Sequence, residues 1–311
     1  MSVKTRGVSV YIPTRNRASL LTHAVRSVLA QTYAHYEILV VDDASDDDTA
    51  EVIRGFEACG RVRAFRMDSP RGAPAARNLA IRNASHELVT GLDDDDIWLP
   101  QRLEHMVAAL RDGVGFVAAS DIMELDGGMR FIARRPPRID ADRLLRRNVV
   151  GNQVLARRDD VIGCGAFDES LTASQDYDLW IRLVLRTGAG TGLPQPLQIV
   201  HARARRDRIT TSLRRRHGVW RVYRKYVHLM SREQRKSHLF NLIRTTERGL
   251  SLRKLATLWS RDDAMRLIAH FLRTHRLLPN GLAESVVGAI DRARVGAALN
   301  AAGVPSERDA E

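Results

Sequence analysis

Read for its hydrophobic and polar positions, the first 120 residues alternate between two periods. Val8-Ser9-Val10-Tyr11-Ile12 has strand composition, and Leu20, Leu21, Ala24, Val25, Val28 and Leu29 then recur at helical spacing. A second strand over 36–41 closes in Asp42-Asp43-Ala44-Ser45-Asp46. A helix is predicted from Thr49 to Ala58, a third strand over 62–66, and another helix opening at Gly72-Ala73-Pro74. Leu88 to Leu92 is a short apolar run of strand length that stops abruptly at Asp93-Asp94-Asp95-Asp96. A helix from Pro100 to Leu110 and a strand from Gly115 to Ala119 follow. Such alternation predicts an α/β protein with a mostly parallel central sheet, flanked by helices and joined by right-handed crossovers.

After residue 120 the alternation loosens. Asp126-Gly127-Gly128 suggests a hairpin turn, Arg134 to Arg138 a loop, and Val149 to Ala156 a strand crossing the sheet. Asp176 to Arg186 reads as a helix with Leu179, Leu183 and Val184 on its apolar face. Beyond 200, Trp220, Tyr223, Val227 and Met230 mark a basic amphipathic helix. The chain then reads as helical to about residue 300 and ends in a tail, 305–311, expected to be disordered. The predicted organisation is a catalytic part over 1–210, split near 120, and a helical extension over 211–304.

Charge divides the chain in the same place. Residues 201–250 hold 15 Lys/Arg against 3 Asp/Glu, so the whole net charge of +12 arises there. An acidic region and a basic region therefore have different partners. Two cysteines, Cys59 and Cys164, lack metal-site spacing and cannot form a disulfide framework, which suits a reducing compartment. The opening residues run into the first strand without a signal-peptide pattern, and no apolar run reaches the roughly 20 residues of a membrane span. The expected location is cytoplasmic. The basic helix, with its aromatic positions, suits peripheral contact with an anionic membrane surface, or else packing of those aromatics on the catalytic part.

The candidate chemistry lies at strand ends. Open α/β sheets keep their ligand crevice at the carboxyl ends of the strands, where Asp93 to Asp96 fall. Four adjacent carboxylates repel one another. They are tolerated in a solvated turn, or where a hard cation such as Mg²⁺ or Mn²⁺ takes up charge and bridges to phosphate. Asp42-Asp43 ends another strand, and Ser174-Gln175-Asp176-Tyr177-Asp178-Leu179-Trp180 is a third acidic feature. With Val10 to Asn16, Val40 to Ser45, Gly72 to Asn78 and Asp93 to Trp98, these stretches in this order resemble the family 2 glycosyltransferases, over roughly residues 7 to 215.

The resemblance implies the GT-A fold of nucleotide-diphospho-sugar transferases, a divalent metal (Mn²⁺ or Mg²⁺), and inverting transfer from a nucleotide-sugar, UDP-linked in many members. The acceptor would be a hydroxyl of a glycan or lipid-linked glycan. Pro13, Thr14 and Arg15 would line the nucleotide pocket, Asp43 would accept a hydrogen bond from the base, and Arg77 would contact the nucleotide. Asp93 to Asp96 corresponds to the Asp-x-Asp signature. Alignment on Ile97-Trp98-Leu99-Pro100 makes Asp93 and Asp95 the signature pair, with Asp95 on the metal, Asp93 or Asp94 on ribose or a metal-bound water, and Asp96 capping the next helix. Asp176 matches the catalytic base, with Asp178 the alternative. Gln175 stands where many relatives carry Glu and can still hydrogen-bond an acceptor, and Trp180 of the same motif is a further candidate site residue. His201 and His217 are candidates for a third metal ligand, and Arg205, Arg206 and Arg208 for pairing with diphosphate.

Two other classes compete. A nucleic-acid- or polyanion-binding protein would use the basic 201–250 segment, which carries no zinc-finger or RNA-recognition motif, so no nucleic acid is expected. A Rossmann-type protein would need Gly-x-Gly-x-x-Gly after its first strand, where this chain has Pro13-Thr14-Arg15-Asn16.

Overall fold

The computed structural model describes residues 6–125, 128–201, 213–244, 249–260 and 263–275. In the first part, β1 (Val8–Thr14), β2 (Tyr36–Asp42), β3 (Val62–Arg66) and β4 (Leu88–Gly91) alternate with helices α1 (Ala18–Leu29), α2 (Thr49–Glu57) and α3 (Ala73–Asn83). The four strands are parallel, in the order β3-β2-β1-β4. The chain thus builds outward from β1 to β3, then returns past β1 to lay down β4. That reversal opens a crevice at the carboxyl ends of β1 and β4. The register leaves β1 longer: Tyr11 pairs with Gly91, so Pro13 and Thr14 stand beside the aspartate turn.

Both faces of this sheet are apolar. Val8, Val10, Ile12, Ile38 and Val40 pack against Leu21, Val25 and Val28 of α1 on one face. Tyr11, Leu39 and Val41, one residue out of phase, pack against Ala76, Ala80 and Ile81 of α3 on the other. The period of two sends successive side chains to opposite layers, and burial on both sides explains why β1 is buried throughout.

The remaining strands make the sheet mixed. β5 (Ile97–Trp98) follows the aspartates and leads into α4 (Arg102–Ala109), and β6 (Phe116–Glu124) forms a hairpin with β7 (Arg130–Ala133). β8 (Arg138–Ile139), α5 (Ala141–Arg146), β9 (Leu155–Arg157), α6 (Arg158–Gly163), α7 (Gln175–Thr187) and β10 (Gly190–His201) complete it. β9 lies antiparallel between β4 and β6, and β10 runs parallel to β6. The predicted strand over 149–156 is only β9, because residues 149–154 form an irregular segment that enters the site. The β6–β10 register shifts around Pro196, which has no N–H for the ladder.

Helices α8 (Leu213–Tyr226), α9 (Arg232–Arg244), α10 (Leu252–Leu258) and α11 (Ala264–Thr274) follow, with a 3₁₀ turn at Val227–Leu229. None of the described helices is long and apolar enough to cross a membrane. One face of α8 turns inward: Val222 and Tyr226, with Met230 just after the 3₁₀ turn, are buried in the cluster that includes α3 and α7, and Tyr223 packs on it, while Trp220 of α8 and Leu229 of the turn stay exposed. Of the two expectations for this segment, packing of its aromatics on the preceding part is what Tyr223 and Tyr226 show, while Trp220 stays exposed. Expectations for residues 276–311, including the tail, and for Arg205, Arg206 and Arg208 lie outside the described residues.

Candidate active site

The β1–β4 crevice opens into a cleft of about 760 Å³. Pro13, Thr14, Arg15, Asp43, Arg77, Asp93, Asp94, Asp95, Gln175 and Asp176 all line it, although they come from five separate stretches of chain. Each arrives by a local device. Asp43 follows β2, and its two carboxylate oxygens accept from the backbone N–H groups of Arg71 (2.7 Å) and Gly72 (2.8 Å). Gly72 has φ 87°, a conformation that favours glycine, so this turn delivers α3 to the cleft wall. Arg77 lies one turn into α3. Asn78 exchanges two hydrogen bonds with the Phe167 backbone, which sets the Phe167 ring 5.2 Å from the Arg77 guanidinium.

The four aspartates have four different environments. Asp93 pairs with Arg77 at 2.7 Å and accepts from Asn152 and Gln153, both at 3.1 Å. Burial alone would raise its pKa, but Arg77 and the two amides outweigh it and hold the carboxyl below its ordinary value. Asp94 accepts from the Thr14 hydroxyl and from Arg17, both at 2.8 Å. Burial wins there, and the carboxyl is pushed up to about 6. Asp95 has Arg17 at 3.5 Å and lines the cleft. Asp96 is buried and accepts from Gln198 (2.8 Å), Asn152 (3.0 Å) and the His201 backbone (3.2 Å). Burial and the neighbouring Asp93 and Asp95 raise its pKa well above the usual carboxylate range.

Asp96 therefore does not cap the next helix, as the sequence suggested. Ile97-Trp98 pairs as a strand with Gln198 and Ile199 of β10 and draws Asp96 inward, so the cap position of α4 falls to Gln101. His201 stands at the end of β10, where its Nδ1–H donates to the Asp95 carbonyl at 2.6 Å. It braces the backbone of the turn and does not line the cleft. His217 is exposed on α8, stacked near Trp220 at 6.3 Å, and does not line the cleft either. Trp180 likewise does not line the cleft. It is 1% exposed in the core, and its indole N–H donates to the Gly151 carbonyl.

Asp176 lies in the first turn of α7, after Ser174 at φ 58°. Asn148 donates to it at 3.3 Å. Burial raises its pKa to about 6, against the lowering pull of its backbone hydrogen bond and of Arg77. Asp178 is wholly buried and bound by Arg182, Lys225 and Tyr226, as expected two residues along a helix, where side chains point to opposite sides.

Three groups escaped the sequence reading. Arg17 meets Asp94 and Asp95; its signal was an arginine just after the first strand end, facing an acidic run that needs a counter-charge. Asn152 and Gln153 hold Asp93, and Gln153 is itself fixed by the Tyr11 hydroxyl at 3.0 Å. Their signal was a polar pair inside the apolar stretch Val149 to Ala156.

Among the described residues no three His, Cys, Asp or Glu side chains are grouped as a metal cage. The donor set at the cleft, Asp93 and Asp95, consists of hard oxygens. It fits a cation that keeps phosphate and water oxygens in its shell, as Mg²⁺ and Mn²⁺ commonly do.

A sheet crevice lined by strand-end acids, faced by an acid on a separate helix, is the arrangement of a GT-A glycosyltransferase. The Glycosyl transferase family 2 profile matches residues 9–155. The Escherichia coli K12 protein WcaA, whose name assigns it to colanic acid biosynthesis as a glycosyl transferase, is 33% identical over 84% of this chain and 95% of its own. The chain therefore belongs to glycosyltransferase family 2 and is a glycosyltransferase. WfgD of Escherichia coli, named as a UDP-Glc:α-D-GlcNAc-diphosphoundecaprenol β-1,3-glucosyltransferase, is 29% identical over 57% of this chain and 69% of its own. Among solved structures, the mannosyltransferase PcManGT of Pyrobaculum calidifontis, in complex with GDP-Man and Mn²⁺, shares the fold at TM-score 0.59 and 19% identity. The alignment covers 97% of this chain and 87% of that one.

Proposed function

We propose that the protein is a metal-dependent, inverting glycosyltransferase that moves a sugar from a nucleotide-sugar, UDP-linked, to a hydroxyl of a glycan or lipid-linked glycan in surface polysaccharide synthesis. One observation carries this reading: Asp43, Arg77, Asp93 and Asp95, at or near strand ends, line the same cleft as Asp176 of α7. The names of WcaA and WfgD support the polysaccharide and lipid-linked settings.

Asp43 and the Pro13–Arg15 turn hold the nucleoside, and Arg77 adds positive charge beside the diphosphate. A divalent cation held by Asp95 and Asp93 would supply Lewis-acid stabilisation of the departing diphosphate. Asp176 takes the proton of the acceptor hydroxyl as that oxygen bonds to the anomeric carbon. The bond from that carbon to the phosphate oxygen breaks on the opposite face, its electron pair leaves with the diphosphate, and the configuration inverts. Gln175, which lines the same cleft, hydrogen-bonds the acceptor without adding charge. Arg214, Arg215, Arg216 and Trp220 of α8, with Leu229 of the 3₁₀ turn after it, are what this segment offers an anionic membrane surface.

A thermal-shift panel of UDP-, GDP- and dTDP-sugars, each with and without Mn²⁺, tests the reading. A ligand at a hundredfold its Kd stabilises the native state by about 2.7 kcal/mol, which raises Tm by several degrees. A shift confined to one nucleotide class and dependent on Mn²⁺ is expected. No shift with any donor would overturn the proposal.

The pH dependence follows from the same site. A base must be ionised, and Asp176 is held up at about 6. kcat/KM is therefore expected to fall roughly tenfold per unit as pH drops below about 6, where an ordinary carboxylate would stay active to about pH 4. A flat profile down to pH 5 would contradict the assignment of Asp176.

A further inference from the structure

Asp176 has little to hold it locally. Beyond its own helix the side chain has Asn148, at 3.3 Å, so its direction follows the placement of the first turn of α7. The neighbours of that turn come largely from the helices that follow the sheet. The Asp178 carboxylate, wholly buried, accepts from Lys225 Nζ (2.7 Å) and the Tyr226 hydroxyl (2.8 Å) of α8, and from Arg182 Nε (2.9 Å) one turn along α7. The Tyr177 hydroxyl donates to the Leu144 carbonyl of α5 and lies 3.0 Å from His238 Nε2 of α9, with the two rings stacked. Just upstream, Arg221 donates to the Ser170 carbonyl at 2.7 Å. Gly218 lets α8 lie directly on the Ala173 carbonyl, where a Cβ would come within 2.5 Å.

We propose that Lys225 and Tyr226 of α8 are positioning residues of the transferase: by clamping Asp178 they fix the rotation of the first turn of α7, and with it the direction of Asp176. The helical extension is then part of the catalytic apparatus. The chemistry requires such a clamp. A base misplaced by about 1 Å loses up to roughly 100-fold in rate, and a side chain is only as well placed as the shell that supports it. The buried Asp178 charge makes the clamp stiff, because an ion removed from water is tolerated only with its partners in place. The proposal rests on reading Asp176 as the base.

The test uses the full chain with Tyr226→Phe, Lys225→Met, Lys225→Arg and the double variant Y226F/K225M. All keep Arg182 opposite Asp178, so they are milder than removing the buried carboxylate. Circular dichroism and melting give the folded fraction. Mn²⁺-dependent hydrolysis of the nucleotide-sugar that wild type hydrolyses fastest gives the rate. The ¹³C resonance of the Asp176 carboxyl, assigned by its loss in Asp176→Asn, gives its titration midpoint. The charged groups facing Asp176, Arg77 and Asp93, are unchanged in every variant. The double variant is expected to fold, to lose at least about tenfold in rate per folded molecule, and to titrate at least half a pH unit below wild type as Asp176 turns towards water. Lys225→Arg is expected to recover most of both.

A folded double variant with wild-type rate and midpoint overturns the proposal. So does a rate that falls only with the folded fraction while the midpoint stays in place, which is what a merely structural contact would do. If Asp176→Asn is inactive and the double variant is normal, the clamp alone fails. If Asp176→Asn hydrolyses donor like wild type, the base reading fails and takes the clamp with it.

Discussion

Asp95→Ala is expected to abolish detectable transfer and to remove any effect of Mn²⁺ on nucleoside diphosphate binding. Asp93 and Asp94 already have partners in Arg77, Thr14 and Arg17, and buried Asp96 accepts from Gln198 and Asn152. Asp95 lines the cleft beside them, with Arg17 at 3.5 Å. Without a cation on it, the diphosphate faces the remaining aspartates directly. Each like-charge contact at about 4 Å costs roughly 4 kcal/mol at the effective dielectric of a protein surface, so even one such contact would remove binding over several decades. Isothermal calorimetry of UDP and GDP, with and without Mn²⁺, reads this out. Wild type should bind more tightly with the metal, and the variant should show no difference. Equal wild-type affinity in both conditions would remove Asp95 from the metal site.

Asp176→Asn is expected to lower turnover by roughly 100-fold or more while donor affinity stays within about twofold, because the amide keeps the shape and loses the basicity. Asn148 can still donate to the amide oxygen, so the loop it comes from should stay in place. Single-turnover kinetics beside donor calorimetry separate the two effects. Normal turnover would leave the reaction without an evident base, since Asp178, the alternative from sequence, is sealed between Arg182, Lys225 and Tyr226.

The order of strands and helices up to residue 120 was legible because each element there buries one face or both, and burial writes a period of two or of 3.6 into the sequence. The strand-end placement of Asp43 and of the four aspartates followed from the same pattern, since a strand's carboxyl end is visible where its apolar run stops. That Asp176 would share the cleft with the aspartate run was legible for a different reason: the motif around it is a contiguous word.

What each aspartate does was decided in three dimensions. Four identical residues in a row carry no local signal to tell them apart. Asp94 is set by Thr14 and Arg17, and Asp93 by Arg77, Asn152 and Gln153. Asp96 is set by a two-residue strand pairing with β10 more than a hundred positions away. The same holds for Trp180 and for the aromatic face of α8. A large apolar side chain reads alike in a core, a sugar platform or a membrane face, and only the packing of α7 and α8 shows that these are core. The sequence by itself determined the α/β alternation, the strand ends that carry acid and the family. Only the tertiary structure decided which acids face the cleft, because that depends on the direction of side chains at junctions between distant segments, where no periodicity reaches.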